Sequence, residues 1–183
     1  MDTEWFDVLD DDRQVIGRAT RTECHSGSKL LHPVVHVHIF NSERKLLLQK
    51  RRMDKDIQPG MWDTSIGGHI ESGEAREDAV AREAREELGI AIEFPHLVLL
   101  DEYVYESDVE KEFVHSYAYV YDGPITFQES EIDEVGFFDF DEVNDLIADD
   151  RATPNFVREF AMLRGAIHNF FGNLTICAEF QET

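Results

Sequence analysis

Residue patterning predicts an α/β fold, a three-layer α/β/α sandwich built as a single domain over residues 1–183. Three observations carry that expectation. Strand-like runs are interspersed with helix-periodic runs along the chain, which calls for helices on both faces of a sheet. The 183 residues suffice for one domain and are too few for two comfortable ones. No internal repeat, low-complexity tract or linker breaks the chain.

The elements follow in order. WFDVL (5–9) and VIGRATR (15–21) flank the acidic turn Asp10-Asp11-Asp12 and read as a hairpin, the centre of an N-terminal extension over 1–32. After the Ser26-Gly27-Ser28 break, PVVHVHIF (33–40) alternates Val35, Val37 and Ile39 with His36, His38 and Phe40, a period-two strand. Asn41-Ser42 turns into a second strand, KLLLQKR (45–51), and a loop over 53–62 follows. AREDAVAREAREEL (75–88) is built of strong helix formers, opened by Gly73-Glu74 and closed by Gly89 as a C-cap. LVLLDEYVY (97–105) and FVHSYAYVY (113–121) are strand-like, and VGFFDF (135–140) is a further apolar run. DEVNDLI (141–147) and NFVREFAMLRGAIHNFF (155–171) have helical periodicity, with Thr153-Pro154 starting the second. Residues 151–183 therefore form a C-terminal helix and tail, within which LTICAEF (174–180) is apolar and unassigned.

Composition narrows the function. Apolar content of 42% is ordinary, but the formal charge of −22 argues against a nucleic-acid partner held by phosphate neutralisation and against an anionic membrane surface. No run of eighteen apolar residues suggests a membrane span, and the acidic start MDTEWFDVLDDD does not resemble a signal peptide. Cys24 and Cys177 make no disulfide framework, so a reducing cytoplasm is expected.

The helix over 75–88 carries the chemistry. Glu83, Glu86 and Glu87 stand at i, i+3 and i+4 on one face, while Val80, Ala84 and Leu88 form a stripe turned away from them toward the core. Three converging carboxylates repel one another unless a cation sits among them, and oxygen-only ligation suits Mg²⁺ or Mn²⁺. Arg82 either pairs with Glu86 one turn on or reaches back to Glu74.

Residues 68–90, GHIESGEAREDAVAREAREELGI, match the pattern G-x5-E-x7-R-E-U-x-E-E-x-G-U, with U apolar, at every position. Seven fixed identities at set spacings arise by chance on the order of once in ten million registers, so the pattern is not read as an ordinary solvated helix. It resembles the signature of the Nudix superfamily, and the order of KLLLQKRR, PGMWDTSIGGH and EIDEVGFFDFDEV around it resembles that fold from about 33 to 150. The resemblance implies a Nudix α/β/α sandwich with a mixed β-sheet, and hydrolysis of a diphosphate joined to another moiety. It makes Glu83, Glu86 and Glu87 metal ligands, joined by the Gly68 carbonyl, with Arg82 and Glu74 ordering the helix. The base is then Glu86 or Glu87, with Glu131 and Glu134 as alternatives.

A narrower likeness covers roughly residues 4–120. RTECHSGSKLLHPVVHVHIF and QKRRMDKDIQPGMWDTSIGGH resemble type 1 isopentenyl-diphosphate isomerase. This implies a second metal site of His25, His32, His69, Glu110 and Glu112, whose imidazoles favour Mn²⁺ or Zn²⁺. It also makes Arg51 and Lys55 diphosphate-holding residues. Two departures matter: the isomerase's catalytic cysteine is replaced by Gly67, and its box is degenerate where this one is complete.

His36 and His38 are read as packing residues, and His96, His115 and His168 have no supporting pattern. Arg51, Arg52 and Lys55 form a basic cluster fit for phosphate in an acidic chain. Trp62 either stacks a base or lines the core. The expected activity is a metal-dependent hydrolase acting on a small nucleoside or isoprenoid diphosphate compound. The alternatives are an isopentenyl-diphosphate isomerase and a non-catalytic ligand sensor. The oligomeric state is left open, a homodimer included.

Overall fold

The computed structural model of the protein describes residues 4–55 and 57–181, with side chains through Asn173. The predicted hairpin forms as β1 (Trp5–Leu9) and β2 (Val15–Thr20), a separate two-stranded sheet. Thr20 then caps a single helical turn, α1 (Arg21–Cys24), in a reciprocal capping box with Glu23. Phe6, Val8, Ala19 and the free thiol Cys24 form a small core of their own beneath it. The Cys177 side chain lies outside the described residues.

Seven strands make the main sheet: β3 (Leu31–Phe40), β4 (Leu46–Arg51), β5 (Trp62–Asp63), β6 (Ile66–His69), β7 (Val98–Glu106), β8 (Lys111–Val120) and β9 (Ile132–Phe138). β3 and β8 run parallel along ten residue pairs, and every other pairing is antiparallel, so the sheet is mixed. β3 and β4 pair only at Phe40–Leu46. Beyond that point they part: β6 takes the edge of β3 and β9 takes the edge of β4.

Helices cover both faces. α2 (Arg76–Leu88) lays Val80, Ala84 and Leu88 on Val35, Val37 and Ile39, the stripe and the strand alternation read from sequence. Burying a Val or Leu side chain contributes about 1.5–3 kcal/mol, so this seam holds the acidic helix to the sheet by its apolar side. α3 (Phe140–Ala148) and α4 (Pro154–Gln181) pack on the opposite face with Phe40, Leu46 and Leu48. Among the described residues no helix is long and apolar enough to cross a membrane.

Boundaries differ locally, for identifiable reasons. α2 starts at Arg76, because Glu74 turns back to the Arg82 side chain and Gly73 takes φ 81°. The apolar run VGFFDF divides: β9 ends at Phe138, and Asp139 caps α3 through a capping box with Glu142. LTICAEF continues the backbone of α4 instead of forming an element of its own.

Candidate metal centre and cleft

A cleft of about 1230 Å³ lies where β3 and β4 diverge, lined from β3, β4, β6, α2 and the β7–β8 turn. α2 supplies one wall. Arg82 grips Glu74 with two hydrogen bonds of 2.9 Å, donates to Glu83 at 2.7 Å and to the His69 carbonyl at 2.9 Å, and lies 3.5 Å from Glu86. Both sequence alternatives for Arg82 are therefore realised at once. The bidentate fork fixes the loop before α2 against the helix. Gly68 presses its Cα against the Glu83 carboxyl, where a Cβ would collide with it.

Glu87 accepts from the Gln49 amide at 3.2 Å and weakly from the Gly67 N–H at 3.4 Å. Desolvation, then the charge of Glu83, pushes its pKa from 4.5 up to about 8. Burial also raises Glu83, against the opposing pull of Arg82. Glu86 is the exposed member of the three, with a side chain 56% accessible. Two carboxyls raised by burial beside an exposed third, all lining one cleft, form a set that a cation would discharge.

A second cluster joins the N-terminal extension to the cleft. Ligand-capable atoms of His25, His32 and His69 lie within 4.8 Å of one another. His25 Nε2 is 3.0 Å from His69 Nε2, and Glu110 and Glu112 approach His25 and His69 at 3.4 and 3.9 Å. Phe6 stacks on His69 with centroids 4.4 Å apart, so the extension covers one side of the cluster. His32 donates from Nδ1 to the Leu30 carbonyl at 2.9 Å, which leaves its buried Nε2 as a lone pair without a partner among the described residues. Burial drops His25 to about 4, lowers His32 and takes His69 well down, so all three are neutral donors. Burial raises Glu110, and burial plus the charge of Glu110 raises Glu112. Three neutral imidazoles converging on two destabilised carboxylates fit a divalent cation.

The NUDIX domain model matches residues 30–160. The chain belongs to the Nudix family. It is 37% identical over 126 residues to an uncharacterized Nudix hydrolase of Clostridium acetobutylicum, covering 65% of this chain and 60% of that protein. It is 32% identical over 150 residues to an isopentenyl-diphosphate Delta-isomerase of Leifsonia xyli subsp. xyli, covering 80% and 81% respectively. The crystal structure of DR0079 from Deinococcus radiodurans superposes with a TM-score of 0.70 at 26% identity, covering 82% of this chain and 92% of that one.

In this Nudix fold the basic residues divide. Arg51 and Lys55 line the cleft. Arg51 donates to the Ile57 carbonyl at 3.2 Å and lies 3.6 Å from Asp63, while Lys55 is ion-paired with Glu131. Arg52 turns outward to Asp54 and the Glu129 carbonyl. Glu131 lines the cleft, whereas Glu134 pairs with Lys50 at 3.6 Å outside it. Trp62 is only 3% exposed and packs edge-on against Phe138 at 4.8 Å, so of its two sequence readings the structure gives core. An indole closed off by that packing has no free face for a base.

Sequence reasoning missed Gln49, which hydrogen-bonds Glu87, and Glu159, which lies in a helical run whose face the periodicity alone left unassigned. His36 and His38 are buried, as packing residues would be, but both face the Glu159 carboxylate. His115 bonds Glu102 at 2.7 Å away from the cleft, and His96 is exposed beside Glu93.

Proposed function

We propose that the protein is a metal-dependent hydrolase that cuts a diphosphate linked to another moiety, of nucleoside or isoprenoid type. The observation that carries this reading is that Glu83, Glu86 and Glu87 all line the cleft from one face of α2, held by the Arg82–Glu74 fork. Glu83, Glu86, Glu87 and the Gly68 carbonyl would hold Mg²⁺ or Mn²⁺. When bound, such ions neutralise phosphoryl charge and acidify water. Arg51 and Lys55 sit across the cleft to receive phosphate oxygens, by exchanging Asp63 and Glu131 for the substrate. Glu86 or Glu87 takes the proton of the attacking water as the new phosphorus–oxygen bond forms and the bridging one breaks.

The second site of His25, His32, His69, Glu110 and Glu112 would take Mn²⁺ or Zn²⁺, supported by the unpartnered His32 Nε2. That site and the isomerase relative favour a second reading, isopentenyl-diphosphate isomerisation. Gly67 weighs against it, because protonating an alkene needs a positioned donor and the cysteine's position has no side chain.

The test is a diphosphate panel that includes isopentenyl diphosphate, assayed with Mg²⁺ and with Mn²⁺. Release of phosphate, diphosphate or a nucleoside monophosphate is expected, and Glu86→Gln should lower turnover by orders of magnitude without unfolding the protein. Dimethylallyl diphosphate formed without phosphorus–oxygen cleavage would replace hydrolysis with isomerisation. Tight binding without turnover of any compound would leave a ligand sensor.

A further inference from the structure

Glu159 projects from α4 into the protein and is 0% exposed. An isolated carboxylate there would be costly, so it must be paired. Two imidazoles from one face of β3 pair it. His36 donates from Nδ1 to Glu159 Oε2 at 2.9 Å, and His38 Nε2 lies 3.2 Å from Oε1, off the hydrogen-bond line. His38 is sealed inside beside Thr64, at 3.4 Å. His36 is not sealed: it lines the cleft, and its Nε2 has no protein partner among the described residues.

The direction of that nitrogen is set by the strand pairing. His36 lies opposite Gly67 in the β3–β6 ladder, on the face where a residue 67 side chain would stand. A Cβ on Gly67 would sit 3.7 Å from His36 Nε2 and 3.6 Å from Cδ2. The missing side chain leaves the imidazole edge uncovered beside Gly67, whose N–H bonds Glu87, and His36 and Glu87 both line the cleft. Burial works to strip the proton from His36, but the charge and hydrogen bond of Glu159, with the fields of Glu112 and Asp63, outweigh it and lift the pKa to about 9.

We propose that His36, anchored from behind by Glu159, is a further substrate-contacting residue, a charged N–H donor that meets an anionic oxygen of the bound diphosphate through the gap at Gly67. The inference rests on the reading that this cleft takes a diphosphate. A charged donor to an anionic acceptor is among the stronger hydrogen bonds, and this one is preorganised by a carboxylate that cannot leave. The buried Glu159 thereby has a use beyond packing: it keeps a positive charge in the cleft near its acidic α2 wall. The glycine at 67 has one too, since any larger residue would screen that charge.

The probe is methylenediphosphonate with Mg²⁺, which binds without being cut. In the wild type labelled with ¹⁵N-histidine, the His36 Nε2 resonance should move on addition of the probe while those of His38 and His96 stay. Calorimetry should show affinity weakened about 10-fold or more in His36→Gln. Because that variant removes one of the two imidazoles facing Glu159, the double variant His36→Gln with Glu159→Gln is measured alongside it, and the same weakening is expected. Gly67→Ala, whose added methyl meets only ordinary contact distances, should weaken binding by covering Nε2. Unchanged affinity in the folded double variant, or an unmoved Nε2 resonance in the wild type, overturns the proposal and leaves the hydrolase reading standing. Failure of the wild type to bind the probe overturns both.

Discussion

Glu87→Gln should make the metal-free protein more stable while destroying its activity. The wild-type carboxyl is pushed from 4.5 up to about 8, by desolvation first and by Glu83 second. An acid whose pKa is raised on folding binds more protons folded than unfolded between those two values. Wild-type stability therefore falls as pH rises through that window. The penalty grows by about 1.4 kcal/mol per pH unit above 4.5, reaches roughly 3 kcal/mol at pH 7 and levels off above pH 8. Because the carboxyl opens onto the cleft, water screens part of this and the figure is a ceiling. A glutamine keeps the acceptor for Gln49 and Gly67 without the charge. At about 2–4 °C per kcal/mol for a chain of this size, the variant should melt several degrees above wild type at pH 8 in chelator, and level with it near pH 4.5. Saturating Mn²⁺ should reverse or close the gap, since a hundredfold excess over Kd stabilises the wild type by about 2.7 kcal/mol and the variant lacks a ligand. Calorimetric melts at three pH values, with chelator and with Mn²⁺, decide the matter. A variant no more stable than wild type at pH 8, or equally favoured at pH 4.5, would refute the reasoning.

Gly68→Ala places a methyl on the Glu83 carboxyl and should cost about 1–3 kcal/mol of stability. Displacing that carboxylate should also lower turnover by about 100-fold; melting and initial rates check both, and full activity would show that Glu83 need not hold its place. Co²⁺ titration should produce a visible d–d band from imidazole ligation at His25, His32 and His69, retained in Glu83→Gln and lost in His25→Ala and His32→Ala. A band that survives both histidine variants would mean that the metal sits elsewhere.

The legible parts of this fold were those with a local period. The α2 stripe of Val80, Ala84 and Leu88 and the β3 alternation were set by spacing alone, and each lies on the face that spacing assigned. The acidic set on α2 was legible for the same reason, because residues one turn apart must share a face. The two-residue strand β5 was not, since pairing with β4 defines it and nothing inside Trp62-Asp63 does. Trp62 itself stayed ambiguous because an indole suits a core and a base equally; Phe138, seventy-six residues away, decides it.

The least legible feature is the one that keeps a positive charge in the cleft. His36 and Glu159 are 123 positions apart, one on the strand β3 and the other on the helix α4. In sequence, His36 and His38 look like polar interruptions of an apolar strand, and Glu159 like one more acid in a chain of net charge −22. Excess acid hides a structural acid, because composition makes every glutamate unremarkable until one is found with no access to water. The same argument explains why the α2 cluster was visible: its partner charges are fixed within one helix, whereas the Glu159 pairing exists only once the sheet has brought β3 beneath α4. A site of the first kind can be read from spacing, and one of the second kind only from the fold.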